Sequence, residues 1–178
     1  MARILVTGMS GVGKSTALSA LSGRGYTVVD TDYGDWKTPD GLWDETRMAD
    51  LLADLEDVVV SGAVENQGRF YDRFDEVVLL SVPESVLWHR IRSRSTNSYG
   101  RSAGERAEIA APIRDVLPLL RATATRELDG TRDVASLAEE IAAIVGTLPE
   151  HARGERRRSG TSRGRRPRRL ASDVDATD

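Results

Sequence analysis

Residues 8–15 read GMSGVGKS, which matches the spacing GxxxxGK[ST] with Gly8, Gly13, Lys14 and Ser15 at the defining positions. A stretch of this kind can hold phosphate. Its glycines let the backbone curl so that successive N–H groups converge on phosphate oxygens, here from Ser10, Gly11, Val12 and Gly13 into Lys14, Ser15 and Thr16. A helix that starts directly behind the loop adds the positive end of its dipole. Lys14 would bridge the β- and γ-phosphates, and Ser15 would offer its hydroxyl to Mg²⁺. The alternative is a chance glycine-rich turn, and the flanks count against it. RILVT at 3–7 is the short apolar run expected of a buried parallel strand, and Ala17, Leu18 and Leu21 mark a helix after the loop.

Holding phosphate is not yet chemistry, because the metal's water shell needs a carboxylate at the end of another strand. Neither VVVSG (58–62) nor VVLLSVP (77–83) ends in one, whereas VVDTD (28–32) carries Asp30 and Asp32. At i and i+2 of a continuing strand both would point the same way, toward the phosphate loop, at the carboxyl edge where ligands bind in open α/β sheets. One would order Mg²⁺ and the other would take the proton from an acceptor hydroxyl. The competing reading is plain turn chemistry, for which aspartate after a strand is common.

The elements that must position these groups can be read from periodicity. Apolar runs return as YTVV (26–29), DVVV (57–60), EVVLLSV (76–82) and, more weakly, TRELD (125–129). Between them Met48, Leu51, Leu52 and Leu55 fall at helical spacing, Pro83 precedes Val86, Leu87 and Ile91, and Val134, Leu137, Ala138, Ile141 and Val145 share a helical face. Strand and helix alternate, which predicts an α/β fold: a five-stranded parallel sheet with helices on both faces. Residues 95–104, STNSYGRSAG, are polar and aperiodic and are expected to form an exposed, mobile loop.

Composition bounds the rest. The 178 residues suit one domain, expected at 1–147. The overall charge of −3 conceals a split, with 16 Lys/Arg against 23 Asp/Glu in residues 1–149 and 9 against 5 in 150–178. Residues 148–178 carry nine arginines and almost no apolar side chains, and are expected to be a disordered tail. Only Lys14 and Lys37 are lysines, which makes Lys14 conspicuous. With no cysteine there is no disulfide, thiolate metal site or cysteine nucleophile, and a reducing cytoplasm is the expected home. MARILVTG lacks the apolar run of a signal peptide, no stretch is long enough to cross a bilayer, and a monomer is expected.

With these residues in view, the chain resembles the shikimate-kinase-like and adenylate-kinase-like small P-loop kinases over nearly all of residues 3–146. The resemblance implies the P-loop nucleoside triphosphate hydrolase fold with a mobile lid, ATP and Mg²⁺ as cofactors, and transfer of the γ-phosphate to a small metabolite or nucleotide. In shikimate kinases the second strand likewise ends in Asp-Thr-Asp or Asp-Ser-Asp, the first Asp assisting Mg²⁺ and the second contacting the acceptor hydroxyl. By that likeness Asp30 serves the metal and Asp32 the acceptor. The third strand of the family leads into a glycine-containing substrate loop, matched here by Gly62. Its lid carries an arginine that swings onto the transferring phosphate, for which Arg101 is the first choice and Arg94 the second. Its adenine-side segment is similar to LDGTRD (128–133), which implies Arg132 as a ring-stacking residue.

The chain departs from the family where the shikimate carboxylate is bound. Two residues before the proline of the "PL" segment, the family's arginine is replaced by Val116, with Arg114 further back, which argues against shikimate itself. The segment YGDWKTPDGLWDE (33–45) is also unlike the family, and Trp36 and Trp43 either line an acceptor pocket or pack the core. In ENQGRFYDR (65–73), Asn66, Gln67 and Arg69 are either polar acceptor contacts or turn residues. Arg90 and Arg92 are expected to be solvated surface. A GTPase is excluded by the lack of DxxG and NKxD after the strands, and an oligomeric remodelling ATPase by chain length. A second class stays open: a nucleotide-binding regulatory protein without transfer activity, whose basic tail contacts nucleic acid or an acidic partner.

Overall fold

Valine-rich segments build the sheet, as β-branched side chains suit a pleated, buried surface. The computed structural model describes residues 2–93, 110–111 and 113–147. The strands are β1 (Arg3–Thr7), β2 (Val28–Asp30), β3 (Val58–Ser61), β4 (Glu76–Ser81) and β5 (Arg126–Asp129). They form one sheet in the order β2-β3-β1-β4-β5, and every pairing is parallel. Parallel neighbours need crossover connections, supplied by α1 (Lys14–Ser22), α2 (Glu45–Asp54), α3 (Glu84–Ser93) and α4 (Leu117–Thr123), with α5 (Val134–Thr147) following β5.

Alternation along the strands divides the core into two layers. On one face Ile4, Val6, Val59, Val78, Leu80 and Leu128 meet Leu18 and Leu21 of α1, Leu87 and Ile91 of α3, and one side of α5. On the other, Leu5, Val58, Val60 and Val77 meet Met48 and Leu52 of α2 together with Trp43, Phe70 and Phe74. The α/β fold expected from the strand and helix alternation is thus present: five parallel strands with helices on both faces.

Two boundaries differ in detail. β2 starts at Val28, and Tyr26, expected to open that strand, lies before it and packs partly buried against the α1 layer. On α5 the buried face is Leu137, Ala138, Ile141 and Ile144, while Val134 is 42 % exposed. Asp133 accounts for this: its carboxylate accepts from Ser136 N at 2.9 Å and caps the helix, leaving Val134 in the first, solvent-facing turn. The expected lid at 95–104, with Arg94 and Arg101, and the expected tail at 148–178 lie outside the described residues.

Candidate active site

The strand order reverses direction at β1: β3 and β2 lie to one side and β4 and β5 to the other. Such a switch point opens a crevice at the carboxyl edge, and residues 8–13 lead out of β1 there into α1. Gly8 adopts φ 144°, and a Cβ at that position would come within 2.4 Å of the Leu80 carbonyl oxygen of β4. Gly13, at φ 109°, precedes α1 in the left-handed region and provides no side-chain cap. The first-turn N–H groups of a helix have no acceptor within the helix, so those of α1 open toward the loop. Val12 packs into the core, while Ser10, Ser15 and Thr16 are exposed.

Lys14 is 7 % exposed, and its Nζ donates to the carbonyls of Gly8 at 2.8 Å and Met9 at 3.2 Å. The ammonium folds back along its own loop. Burial holds its pKa below the ordinary 10.5, opposed by the charges of Asp32 and Asp30 and reinforced by Lys37. Both carboxylates expected to face the phosphate loop therefore act electrostatically on its lysine.

They do so by a different route from the one expected. The strand does not continue past Asp30: Asp30 Oδ1 accepts from Asp32 N at 3.1 Å, and Tyr33 N donates to the Asp30 carbonyl at 3.2 Å. The segment is an aspartate-initiated turn, so the two-residue alternation of an extended chain does not place the pair. Asp32 then receives Lys37 Nζ on its Oδ1 at 2.6 Å. Both lysines of the chain thus act at one carboxylate.

The acceptor side corrects several expectations. Trp43 is 1 % exposed and belongs to the core; its Nε1 donates to Thr31 Oγ1 at 2.9 Å, and its ring meets Phe70 edge-on. Trp36 is half-buried, with the Arg47 guanidinium 4.7 Å above its ring. Asn66, expected to touch the acceptor, instead accepts from Trp43 N at 3.0 Å and donates to the Trp43 carbonyl at 3.1 Å and to Glu45. Gln67 is likewise committed, accepting from Thr7 Oγ1 and Val64 N and donating to Tyr71 Oη at 2.8 Å. Both amides are buried and satisfied by protein groups, which removes them as free contacts. Arg69 is exposed and ion-paired with Glu45. Gly62 fits no side chain, because a Cβ there would lie 2.5 Å from Thr31 Oγ1 and 2.7 Å from the Trp43 ring. Its glycine is accounted for by this packing.

On the opposite side, Arg132 is paired with Glu140 of α5. The arginine that joins this loop to the phosphate loop is Arg90 of α3, which donates to the Val12 carbonyl at 3.0 Å and the Gly130 carbonyl at 2.9 Å. It is half-buried, not the solvated surface residue expected. Asp129 closes the same turn by accepting from Thr131 N and Oγ1, hydrogen bonds that hold its carboxyl below the usual range. Arg114 is exposed and paired with its neighbour Asp115.

Sequence reasoning missed Lys37 and Arg90. For Lys37 a signal existed, since it is one of two lysines among 25 basic residues and lies five positions from Asp32. For Arg90 there was none, as nothing in its spacing separates a carbonyl-bridging arginine from a solvated one.

A protein-family profile described as an AAA domain matches residues 4–111. Among curated proteins none matches the sequence. The fold is similar to that of shikimate kinase from Acinetobacter baumannii in complex with shikimate, with a TM-score of 0.61 and 18% identity over 84% of this chain and 96% of that one. It is also similar to shikimate kinase from Bacteroides thetaiotaomicron, at 0.59 and 19% over 82% and 98%. A gluconokinase from Sinorhizobium meliloti 1021 gives 0.54 and 22% over 85% and 95%. These likenesses establish the architecture.

Proposed function

The chain belongs to the AAA domain family, and from the site built on that scaffold we propose that it is a small-molecule kinase, moving the γ-phosphate of ATP to a hydroxyl or phosphate of a small metabolite or nucleotide. The observation that carries the reading is the buried Lys14 ammonium in its phosphate loop with the charges of Asp32 and Asp30 acting on it. The neighbours named as shikimate kinases and a gluconokinase support it. The absence of an arginine at Val116 speaks against shikimate as the acceptor.

The residues present fit ATP and Mg²⁺. The loop has the backbone conformation of a phosphate cradle, with Gly8 and Gly13 both at positive φ. Among the described residues no group of three or more His, Cys, Asp or Glu side chains could cage a cation, so the metal would come with the phosphates, held by the Ser15 hydroxyl and Asp30, as Mg²⁺ commonly is. When bound, the nucleotide supplies the transferable phosphoryl group and the metal screens its charge. Lys14 exchanges the Gly8 and Met9 carbonyls for phosphate oxygens, neutralising charge where it develops. Asp32, held on one oxygen by Lys37, has the other free to orient an acceptor hydroxyl and take its proton. Arg90 keeps the phosphate loop and the β5–α5 turn in register. Arg101, or Arg94, is proposed to add a cation from the lid, and Arg132 to flank the base.

The test is ADP release from ATP and Mg²⁺, screened against pooled nucleosides, nucleoside monophosphates, shikimate and hydroxylated sugars, with Asp32→Asn in parallel. Stimulation by one pool, lost in the variant, supports the kinase and names its acceptor class. Nucleotide binding with no stimulation by any pool would instead favour the regulatory reading.

A further inference from the structure

β2 is three residues long and lies at the sheet's edge against β3, so the strand itself fixes little of the chain beyond Asp30. The next residue, Thr31, stands between the two carboxylates of the site and is 1 % exposed. Its N–H and its hydroxyl both donate to the Ser61 carbonyl, at 2.9 and 2.8 Å, and the hydroxyl accepts from Trp43 Nε1 at 2.9 Å. A hydroxyl can donate and accept at once, which an aliphatic side chain of the same shape cannot. The group has no slack on the β3 side, where even a Cβ on Gly62 would lie 2.5 Å from Thr31 Oγ1.

Trp43 carries this anchor round to Asp32. It stands opposite Lys37 in an antiparallel bridge, flanked by Thr38 N on the Leu42 carbonyl at 2.8 Å and Asp44 N on the Trp36 carbonyl at 2.9 Å. Lys37 Nζ donates in turn to Asp32 Oδ1 at 2.6 Å, and Asp32 follows Thr31 in the chain. Thr31, Trp43, Lys37 and Asp32 therefore close a ring. Its outer contact, the Lys37–Asp32 pair, is partly exposed and holds weakly by itself. Its inner contact is buried, where leaving the indole N–H unpaired would be costly. An indole has one proton to donate, and here it goes to the residue between the carboxylates, while Asn66 holds the Trp43 backbone.

We propose that Thr31 is a positioning residue for the acceptor base, its hydroxyl, fixed by the Trp43 indole, setting where the free oxygen of Asp32 stands. The proposal rests on the reading of this crevice as a kinase site with Asp32 at the acceptor hydroxyl. A short edge strand leaves Asp32 in a turn, and the ring supplies the constraint that the strand does not. Misplacing a group that orients a reactant by about 1 Å costs on the order of 10²-fold in rate. The groups assigned to phosphate stand outside the ring, Lys14 resting on the Gly8 and Met9 carbonyls of its own loop. Opening the ring should therefore slow transfer and leave nucleotide binding as it is.

The test pairs two measurements on full-chain variants below their melting temperatures: ADP release with whichever of the acceptor pools above stimulates the parent, and calorimetric titration with β,γ-imido-ATP and Mg²⁺. Thr31→Val keeps the shape and removes the hydroxyl. It should melt below the parent, bind β,γ-imido-ATP as the parent does, and lose on the order of 10²-fold in kcat with the ATP KM unchanged. Thr31→Ser, which keeps the hydroxyl, should recover most of that loss. Trp43→Phe opens the same contact from the other side and leaves the Thr31–Ser61 bonds in place, so it should lower kcat alike and decides the matter if Thr31→Val does not fold. Joining the two substitutions should cost no more than either alone, because both remove one contact. An unchanged kcat in folded Thr31→Val or Trp43→Phe overturns the proposal, as do additive losses or an equal fall in β,γ-imido-ATP affinity. A parent that binds β,γ-imido-ATP but is stimulated by no pool overturns the kinase reading, and the role of Thr31 with it, and is told apart by the parent alone.

Discussion

On the proposed phosphate side of the crevice the groups on offer are backbone N–H groups, shaped by glycines at positive φ, and a lysine resting on its own loop's carbonyls. On the acceptor side the conspicuous polar side chains hold one another: Asn66 grips both ends of the Trp43 backbone, Thr31 accepts from its indole, and Gln67 ties Thr7, Val64 and Tyr71 together. The first region, on the proposed reading, binds with its backbone and so demands particular residue types at particular positions. The second uses side chains as scaffold, so its residue types describe the frame more than the ligand. From this frame the loop at 36–44 is pinned by the Lys37–Trp43 bridge and by Asp44 N on the Trp36 carbonyl at 2.9 Å, and it presents Lys37 to Asp32.

Substitutions at matched points on the two sides should separate these roles. Lys14→Met is expected to lower acceptor-stimulated ADP release by about 10³-fold or more, with a melting temperature at or above the parent's, since an uncharged side chain is easier to bury. Trp43→Ala should act in the opposite register, costing about 3–5 kcal/mol of stability in denaturant titration and leaving Thr31 Oγ1 without its indole donor. If Trp43→Ala proved stable but inactive, the scaffold assignment would be wrong.

Smaller effects refine the contrast. Arg90→Met removes two hydrogen bonds to carbonyls and should weaken nucleotide binding by about tenfold, at roughly 1.4 kcal/mol per decade, while Arg90→Lys cannot span both acceptors and should behave alike. Lys37→Met should change stability by less than about 1 kcal/mol, as the Lys37–Asp32 pair is partly exposed, yet lower turnover at saturating ATP with the ATP KM unchanged. A shift in the ATP KM instead would place Lys37 on the phosphate side.

The weakest signal is in pH. The folded state gives up the Lys14 proton at lower pH than the unfolded chain does, since burial depresses its pKa below 10.5. Between the two values the unfolded chain binds more protons, so unfolding free energy should rise with pH in the window that ends at the ordinary lysine value. Equilibrium denaturation of the parent against Lys14→Met should show this rise in the parent only.

The same contrast explains what could be read in advance. The parallel sheet was legible because Val58–Val60 and Val77–Leu80 are buried on both faces and read as unbroken apolar runs. The phosphate loop was legible because Gly8 lies against the Leu80 carbonyl and tolerates no Cβ. Asn66 and Gln67 stayed open between acceptor contact and turn because a buried amide that braces the frame and a free amide that awaits a ligand have the same composition and spacing. The Asp30 turn stood only as the competing reading, because a side chain accepting from the backbone two residues on is a local alternative to strand continuation that the sequence does not decide. Lys37 and Arg90 depend on contacts across 5 and 78 residues, and the longer one leaves no trace in local pattern.

β1 is paired along both edges, to β3 and to β4, whereas β2 has three residues and a single neighbour. The phosphate loop therefore springs from a strand held along both edges, and Asp30 with the turn to Asp32 from the shortest strand, held along one. Local opening is least costly where the fewest partners must be broken. The molecule is in this sense a fixed anvil with one compliant jaw. On the proposed function, acceptor recognition can be altered at the rim, by substitution or by motion, without disturbing the groups assigned to phosphate.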